Sequence, residues 1–307
     1  MPDPARCTSC REGRLMAVNA YFIEGPALIS FSGGRTSAYM LYQILQAHGG
    51  KLADDVIVCF ANTGKEREET LRFVYECGSR WNVKIHWVEW RRGKPIYEEV
   101  GFNSASRNGE PFADLIAWKQ RLPNGFERWC TEFLKVKVMF SLVEDKLSLK
   151  PGEFTEVIGL RDDEGIRIFR GLEAAEKHGR RVAYPLARSK VRKPDIWKFW
   201  LGENRDPKRL THPLPQGFDL GLYPWEGNCT LCFQKGKGIR KRIIRDNPSE
   251  APWWIYQEAS QNGWFDKRDL VAELVAQVRA NPSFFDADDD MDYDVECGLH
   301  CPSEVAA

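Results

Sequence analysis

The segment from Ala27 to Ala47 constrains this chain more than any other. Ala-Leu-Ile-Ser-Phe (27–31) is an apolar run that stops at Gly33-Gly34, and TSAYMLYQILQAH follows at once with Tyr39, Met40, Ile44 and Ala47 at helical spacing. A strand that turns through glycine straight into a helix has few stable destinations: the strand needs neighbours, and the helix needs a sheet face for its apolar stripe. The grammar recurs. DVIVCFAN (55–62) reads as a buried strand, REETLRFVYECGSRW as an amphipathic helix and KIHWVEW as a third strand. TEVIGLRD (155–162) reads as a fourth strand, the region around RVAYPL as a fifth, and PDIWKFWLGE as a helix starting at Pro194. Such alternation predicts an α/β fold, a Rossmann-like parallel sheet with right-handed crossovers.

Elsewhere the pattern changes. Residues 92–128 are long and rich in Gly, Asn and Arg and read as a loop or lid over a site. After about residue 201 come Pro-rich turns and then the helical segments IRKRIIRDN, APWWIYQEASQNG and DLVAELVAQVRAN. DADDDMDYDVE carries seven acids and no base and reads as a flexible tail. The expected division is an extension (1–19), a nucleotide-binding α/β domain (20–200), a helical cysteine-containing appendage (201–282) and an acidic tail (283–307) carrying ECGLHC. Lys and Arg number 44, as do Asp and Glu, so a generic polyanion binder is excluded while a local basic face is not. No run approaches the roughly 18 apolar residues of a membrane span, and the N-terminus lacks the apolar core of a signal peptide. The expectation is a soluble, cytoplasmic protein, with self-association left open. Nine cysteines, an odd number without a secretion signal, argue against a disulfide scaffold and for thiol, metal or redox chemistry.

The loop after the first strand invites an anion. Its glycines let backbone approach a ligand, the helix start presents N–H groups, and Ser32, Thr36 and Ser37 add hydroxyls; an ordinary helix cap after a glycine turn is the plain alternative. The spacing is neither GxxxxGK[ST] nor GxGxxG. SGGRTS resembles the PP-loop of the ATP pyrophosphatases, and FANTGKEREETLRFV resembles the phosphoadenosine phosphosulfate (PAPS) reductase family. The similarity continues through RWCTEFLK, IGLRDDEG, YPLARSKVRKPDIWKFW and GNCTLCFQKGKG, over roughly residues 27 to 245. The resemblance implies an adenine nucleotide (PAPS, adenosine phosphosulfate (APS) or ATP) across the strand ends. It would be held by Ser32, Gly33, Gly34, Arg35, Thr36 and Ser37, with Asn62, Thr63, Gly64 and Lys65 at the second strand end. Arg161, after the strand VIGL, and a looser cluster of Arg128, Lys135, Arg188, Lys190, Arg192 and Lys193 offer positive charge, or are solvated basic side chains. Arg35-Thr36 stands where many ATP pyrophosphatases carry Lys-Asp, which leaves a magnesium requirement open.

Cys229-Thr230-Leu231-Cys232 can grip one metal or cluster, and the distant Cys130 can complete the site. An iron-sulfur cluster, 4Fe-4S, is the preferred metal reading. The set is similar to that of PP-loop tRNA thiolases with three cysteine ligands; APS reductases carry a paired Cys-Cys where this chain has Trp129-Cys130. Two reduced thiols without metal, or zinc held with Cys7 and Cys10, are the alternatives. Glu296-Cys297-Gly298-Leu299-His300 resembles the tail signature of the sulfonucleotide reductases. That implies Cys297 as the nucleophile toward sulfur, assistance from His300, Cys301 as a resolving thiol, sulfite release, and a thioredoxin-like reductant. The leading functional expectation is therefore a sulfonucleotide reductase. The rival is an ATP pyrophosphatase-type enzyme that adenylates a target, a nucleic acid being one candidate, for sulfur insertion; KGKGIRKRIIR would meet phosphates in that case. A nucleotide sensor without chemistry is the third.

Overall fold

The computed structural model describes residues 19–202, 218–223 and 225–281. Six strands, β1 (Ala27–Ser30), β2 (Val56–Ala61), β3 (Ile85–Trp90), β4 (Tyr97–Val100), β5 (Thr155–Val157) and β6 (Arg181–Ala183), form one sheet in the order β4-β3-β2-β1-β5-β6. All neighbours are parallel except the β3–β4 pair. The helices are α1 (Arg35–Ala47), α2 (Glu68–Arg80), α3 (Glu110–Lys119), α4 (Trp129–Thr131), α5 (Val138–Leu147), α6 (Gly165–Lys177), α7 (Pro185–Arg188), α8 (Lys193–Leu201), α9 (Lys237–Asp246), α10 (Ala251–Ser260) and α11 (Val271–Ala280). A π-helical stretch, Glu132–Lys137, joins α4 to α5.

The central strands β1 and β2 are almost wholly apolar because both sheet faces are covered there. Ala27, Ile29, Val58 and Phe60 face a cluster with Met40 and Ile44 of α1, Phe73 of α2 and Trp200 of α8. Their alternates Leu28, Ile57, Cys59 and Val88 face a second cluster with Leu115 of α3 and Leu142 of α5. The helices expected as an appendage put Ile243, Trp254 and Leu274 in that same second cluster. No helix among the described residues is long and apolar enough to cross a membrane.

The expectation of a structureless loop over 92–128 is corrected: the stretch contains β4 and α3. β4 is Tyr-Glu-Glu-Val, an edge strand with a single partner, so it needs no apolar face on both sides, and its charges suit an edge. Glu99 accepts from His86 and lies 3.0 Å from the Lys146 ammonium. In α3, Phe112, Leu115 and Ile116 supply a short i, i+3, i+4 stripe.

Candidate nucleotide and cysteine site

β1 lies between two parallel neighbours, β2 and β5, that the chain reaches by separate excursions, so the crevice beyond its C-terminal end is where open α/β sheets take ligands. The loop Phe31–Gly34 opens there into α1. Gly33 has φ +78°, and a Cβ on it would stand 2.8 Å from Thr70 Cγ2 and 2.9 Å from Val74 Cγ2, so only glycine lets the loop lie against α2. Ser32, Gly33, Gly34, Arg35 and Thr36 line one pocket, closed on its other sides by Thr70, Lys193, Trp197, Tyr223, Gly227 and Asn228. Ser32 and Ser37 are linked hydroxyl to hydroxyl at 3.0 Å, and Ser37 Oγ donates to the Gly34 carbonyl. From the far side of the crevice Arg161, 4% exposed, donates through Nη1 to Thr36 Oγ1 at 3.2 Å. Thr36 thereby accepts from Arg161 and keeps its own hydrogen for another acceptor. The Arg161 guanidinium is balanced by Asp163 and Glu164, so its local part is to fix that hydroxyl.

Arg35, expected at the nucleotide, has its side chain turned into the protein framework. Its Nε and Nη2 grip Asp219 at 2.8 and 2.7 Å, and its Nη1 donates to the Leu222 carbonyl at 2.8 Å. The side chain is thus a buried strut that ties the segment 218–223 to the first turn of α1, and only the Arg35 backbone remains for an anion. The residues at the end of β2 also separate from the loop pocket. Asn62 donates to Glu89 and to the Ser106 carbonyl and accepts from Gly64 N–H. Lys65 lies over the Trp253 ring, with Nζ 3.6 Å from Glu250. Lys190 and Arg192 both pair with Asp162 at the exposed rim.

Cys130 and the sequence-distant pair Cys229 and Cys232 line one pocket together with Thr63, Phe112, Leu134, Lys135, Phe233, Gln234 and Trp254. Cys130 arrives on α4, and the Cys229–Cys232 turn is pinned by the Thr230 N–H bond to the Lys65 carbonyl. Thr63 Oγ1 lies 3.4 Å from Cys229 Sγ and also contacts Glu66. Burial, with the Glu66 carboxylate adding, pushes the Cys229 thiol up to about 12. Among the described residues, no three His, Cys, Asp or Glu side chains are arranged to hold a single metal ion. The other described cysteines, Cys59 and Cys77, are fully buried in the core. Cys7, Cys10, Cys297, His300 and Cys301 lie outside the described residues.

Sequence reasoning passed over Asn228 and Gln234, and took Lys235 only as the first residue of the basic stretch KGKGIRKRIIR. Asn228, at φ +61°, makes the turn that sends Gly227-Asn228 to the loop pocket and Cys229 to the cysteine pocket; a Gly-Asn pair before CxxC was the available signal. Gln234 Nε2 is buried without a hydrogen-bond partner in the described structure. Lys235 is 4% exposed and donates from Nζ to the Thr230 carbonyl at 3.0 Å. Burial lowers its ammonium to about 8.

No family model matches the chain. A nin-region protein of Escherichia phage lambda, ORF290, is 28% identical over 216 residues, which cover 68% of this chain and 66% of the phage protein. The protein MJ0066 of Methanocaldococcus jannaschii is 24% identical over 256 residues, covering 80% of this chain but 45% of the archaeal protein. The chain therefore spans just under two thirds of the first relative and under half of the second. Among solved structures, the U34-tRNA thiolase NcsA from Methanococcus maripaludis, with its 4Fe-4S cluster, matches at 13% identity and a TM-score of 0.35 over 90% of this chain and 81% of its own.

Proposed function

We propose that this chain is a PP-loop-type enzyme that uses ATP to activate a target for sulfur insertion, with an iron-sulfur cluster on Cys130, Cys229 and Cys232 beside the nucleotide. The observation that carries the reading is the turn at Asn228: residues 227 and 228 wall the loop pocket, and the next residue, Cys229, lines the cysteine pocket. Nucleotide chemistry and sulfur chemistry would then share one segment of backbone. In the nucleotide step a target oxygen attacks the α-phosphorus and pyrophosphate leaves. The N–H groups at the start of α1, with the Thr36 hydroxyl, would hold that leaving anion, and Lys193 adds charge to the same pocket. A hydrosulfide-level sulfur donor, supplied as a co-substrate, then bonds to the activated carbon as the carbon–oxygen bond to AMP breaks, with no change of oxidation state.

The cysteine pocket suits a cluster in three respects: its donors are soft thiols, its walls are apolar, and Gln234 offers a buried N–H with no other acceptor. Its thiols are not set around a single ion, and the thiolates of a polynuclear cluster sit on separate irons. When bound, such a cluster supplies polarisable iron and sulfide next to the nucleotide. Cys229 must lose its proton to bind, and that proton is held more tightly than in a free thiol. Loading should therefore strengthen as pH rises, by about tenfold per pH unit for each proton released, throughout the range below the thiol pKa. Iron binding measured at several pH values in anaerobic buffer checks this; a flat profile between pH 7 and 9 would show that the thiols are already ionised.

The ECGLHC sequence keeps a second reading, the sulfonucleotide reductase. One experiment separates the two. The full-length protein is purified anaerobically and incubated either with ATP and a nucleic acid, or with PAPS or APS in the absence of thioredoxin. Release of AMP and pyrophosphate supports activation for sulfur insertion. A sulfonate mass adduct mapped to Cys297, absent in Cys297→Ser, supports the reductase and overturns the proposal.

A further inference from the structure

Among the described residues, Lys235 is a buried cation without a counter-ion. Its side chain is 4% exposed, its ammonium has one hydrogen bond, to the neutral Thr230 carbonyl, and no carboxylate lies within 4.0 Å of it in the described structure. The nearby acids are committed elsewhere. Glu66 accepts from the Thr63 N–H and hydroxyl, and Glu226 accepts from the Tyr223 N–H and lies 3.8 Å from Arg67. Burying an uncompensated charge is expensive, and native structures retain one only where something nearby offsets it. The same three-residue stretch, Phe233-Gln234-Lys235, also buries the Gln234 Nε2 donor against the cysteine pocket with no acceptor. An unmet donor in the wall of the cysteine pocket and, one residue along, a buried cation that interacts electrostatically with Cys232 and Cys229 mark a place for an electron-rich, negatively charged occupant.

Resting on the cluster reading above, we infer that Lys235 is the resident counter-charge of the cysteine pocket, a positioning residue that holds a net-negative metal–thiolate group there, with Gln234 as its hydrogen-bonding companion. Lys135, which lines the same pocket, adds charge of the same sign.

The test compares wild type, Lys235→Met and Lys235→Arg as full-length proteins, reconstituted anaerobically with ferrous iron and sulfide and also stripped with a chelator. Iron and sulfide per chain, melting temperature and midpoint potential are read. Stripped Lys235→Met should melt no lower than stripped wild type, because its isolated charge is gone. Loaded, it should hold less iron, or hold a cluster whose reduced-to-oxidised ratio at fixed potential falls at least tenfold, about 59 mV for a one-electron couple. Lys235→Arg, keeping the charge, should restore iron content and potential toward wild type. Iron loss with an undiminished stripped melting temperature counts in favour even where no potential can be read. Wild-type iron content and potential in Lys235→Met overturn the inference and leave the cluster reading standing. So does an equal drop in melting temperature, stripped and loaded, which would make Lys235 a strut for the Thr230 carbonyl. A wild type that takes up no iron and sulfide overturns the cluster reading and this inference with it.

Discussion

Asp219→Ala should lower the unfolding free energy by about 3–5 kcal/mol, the cost of stranding one partner of a buried ion pair. Arg35 and Asp219 are each 5% exposed and meet through two parallel N–H to oxygen bonds. With the carboxylate gone, the guanidinium keeps the Leu222 carbonyl and the Trp197 ring face but no counter-charge among the described residues, and Gly221 N–H loses its bond to Asp219 Oδ2. The damage should reach the loop pocket, because Asp219 anchors the segment that carries Tyr223 to its wall. The pair itself is not what the fold needs, so Arg35→Met combined with Asp219→Leu should recover much of the loss by removing both desolvation costs. Denaturant titrations with unchanged slope give the comparison. A single-variant loss below about 1 kcal/mol, the range of exposed pairs, would mean that the pair is solvated.

Cys229→Ser should remove at least nine-tenths of the iron from anaerobically reconstituted protein while leaving the fold in place. The serine oxygen is a harder and more weakly acidic donor than the thiol, and it replaces the residue that ties the CxxC turn to Thr63. Cys59→Ala and Cys77→Ala are the controls. Both thiols sit in the core away from the pocket, so these variants should bind as much iron as wild type and lose about 1–2 kcal/mol of stability through small cavities. Full iron in Cys229→Ser, or equal iron loss in the Cys59 control, would remove Cys229 from the ligand set.

The chain's local periodicities announced β1, β2, β3, α1 and α2, because a strand buried on both faces and a helix with one buried face leave different spacings. β4 left no such mark: Tyr97-Glu98-Glu99-Val100 meets a single neighbour, and Glu99 is stabilised by His86 and Lys146, both remote in sequence or on another element. The loop and the CxxC turn were legible as local chemistry, and Cys130 entered through resemblance. What the sequence could not distinguish was which basic residues face a ligand. Arg35 looked like part of the phosphate loop, yet its partner Asp219 lies 184 residues away. Lys235 opens the basic stretch KGKGIRKRIIR, which was expected to meet phosphates in the rival reading, and tertiary packing buries it. Asn62 and Lys65, at a strand end where a nucleotide was expected, also bond to the framework, Asn62 to Glu89 and Lys65 to Glu250.

If both pockets take ligands as proposed, the turn at Asn228 would make them thermodynamic partners. Gly227 and Asn228 cannot shift toward an anion without moving Cys229, and Thr63, at the end of β2, touches the same sulfur. Whatever factor an occupied loop pocket contributes to affinity at the cysteines, an occupied cysteine pocket must return to the loop, since coupling free energy between two binding sites is reciprocal. The order in which the two pockets fill would then leave the final complex unchanged, and nucleotide affinity would report on the state of the sulfur site from across the turn.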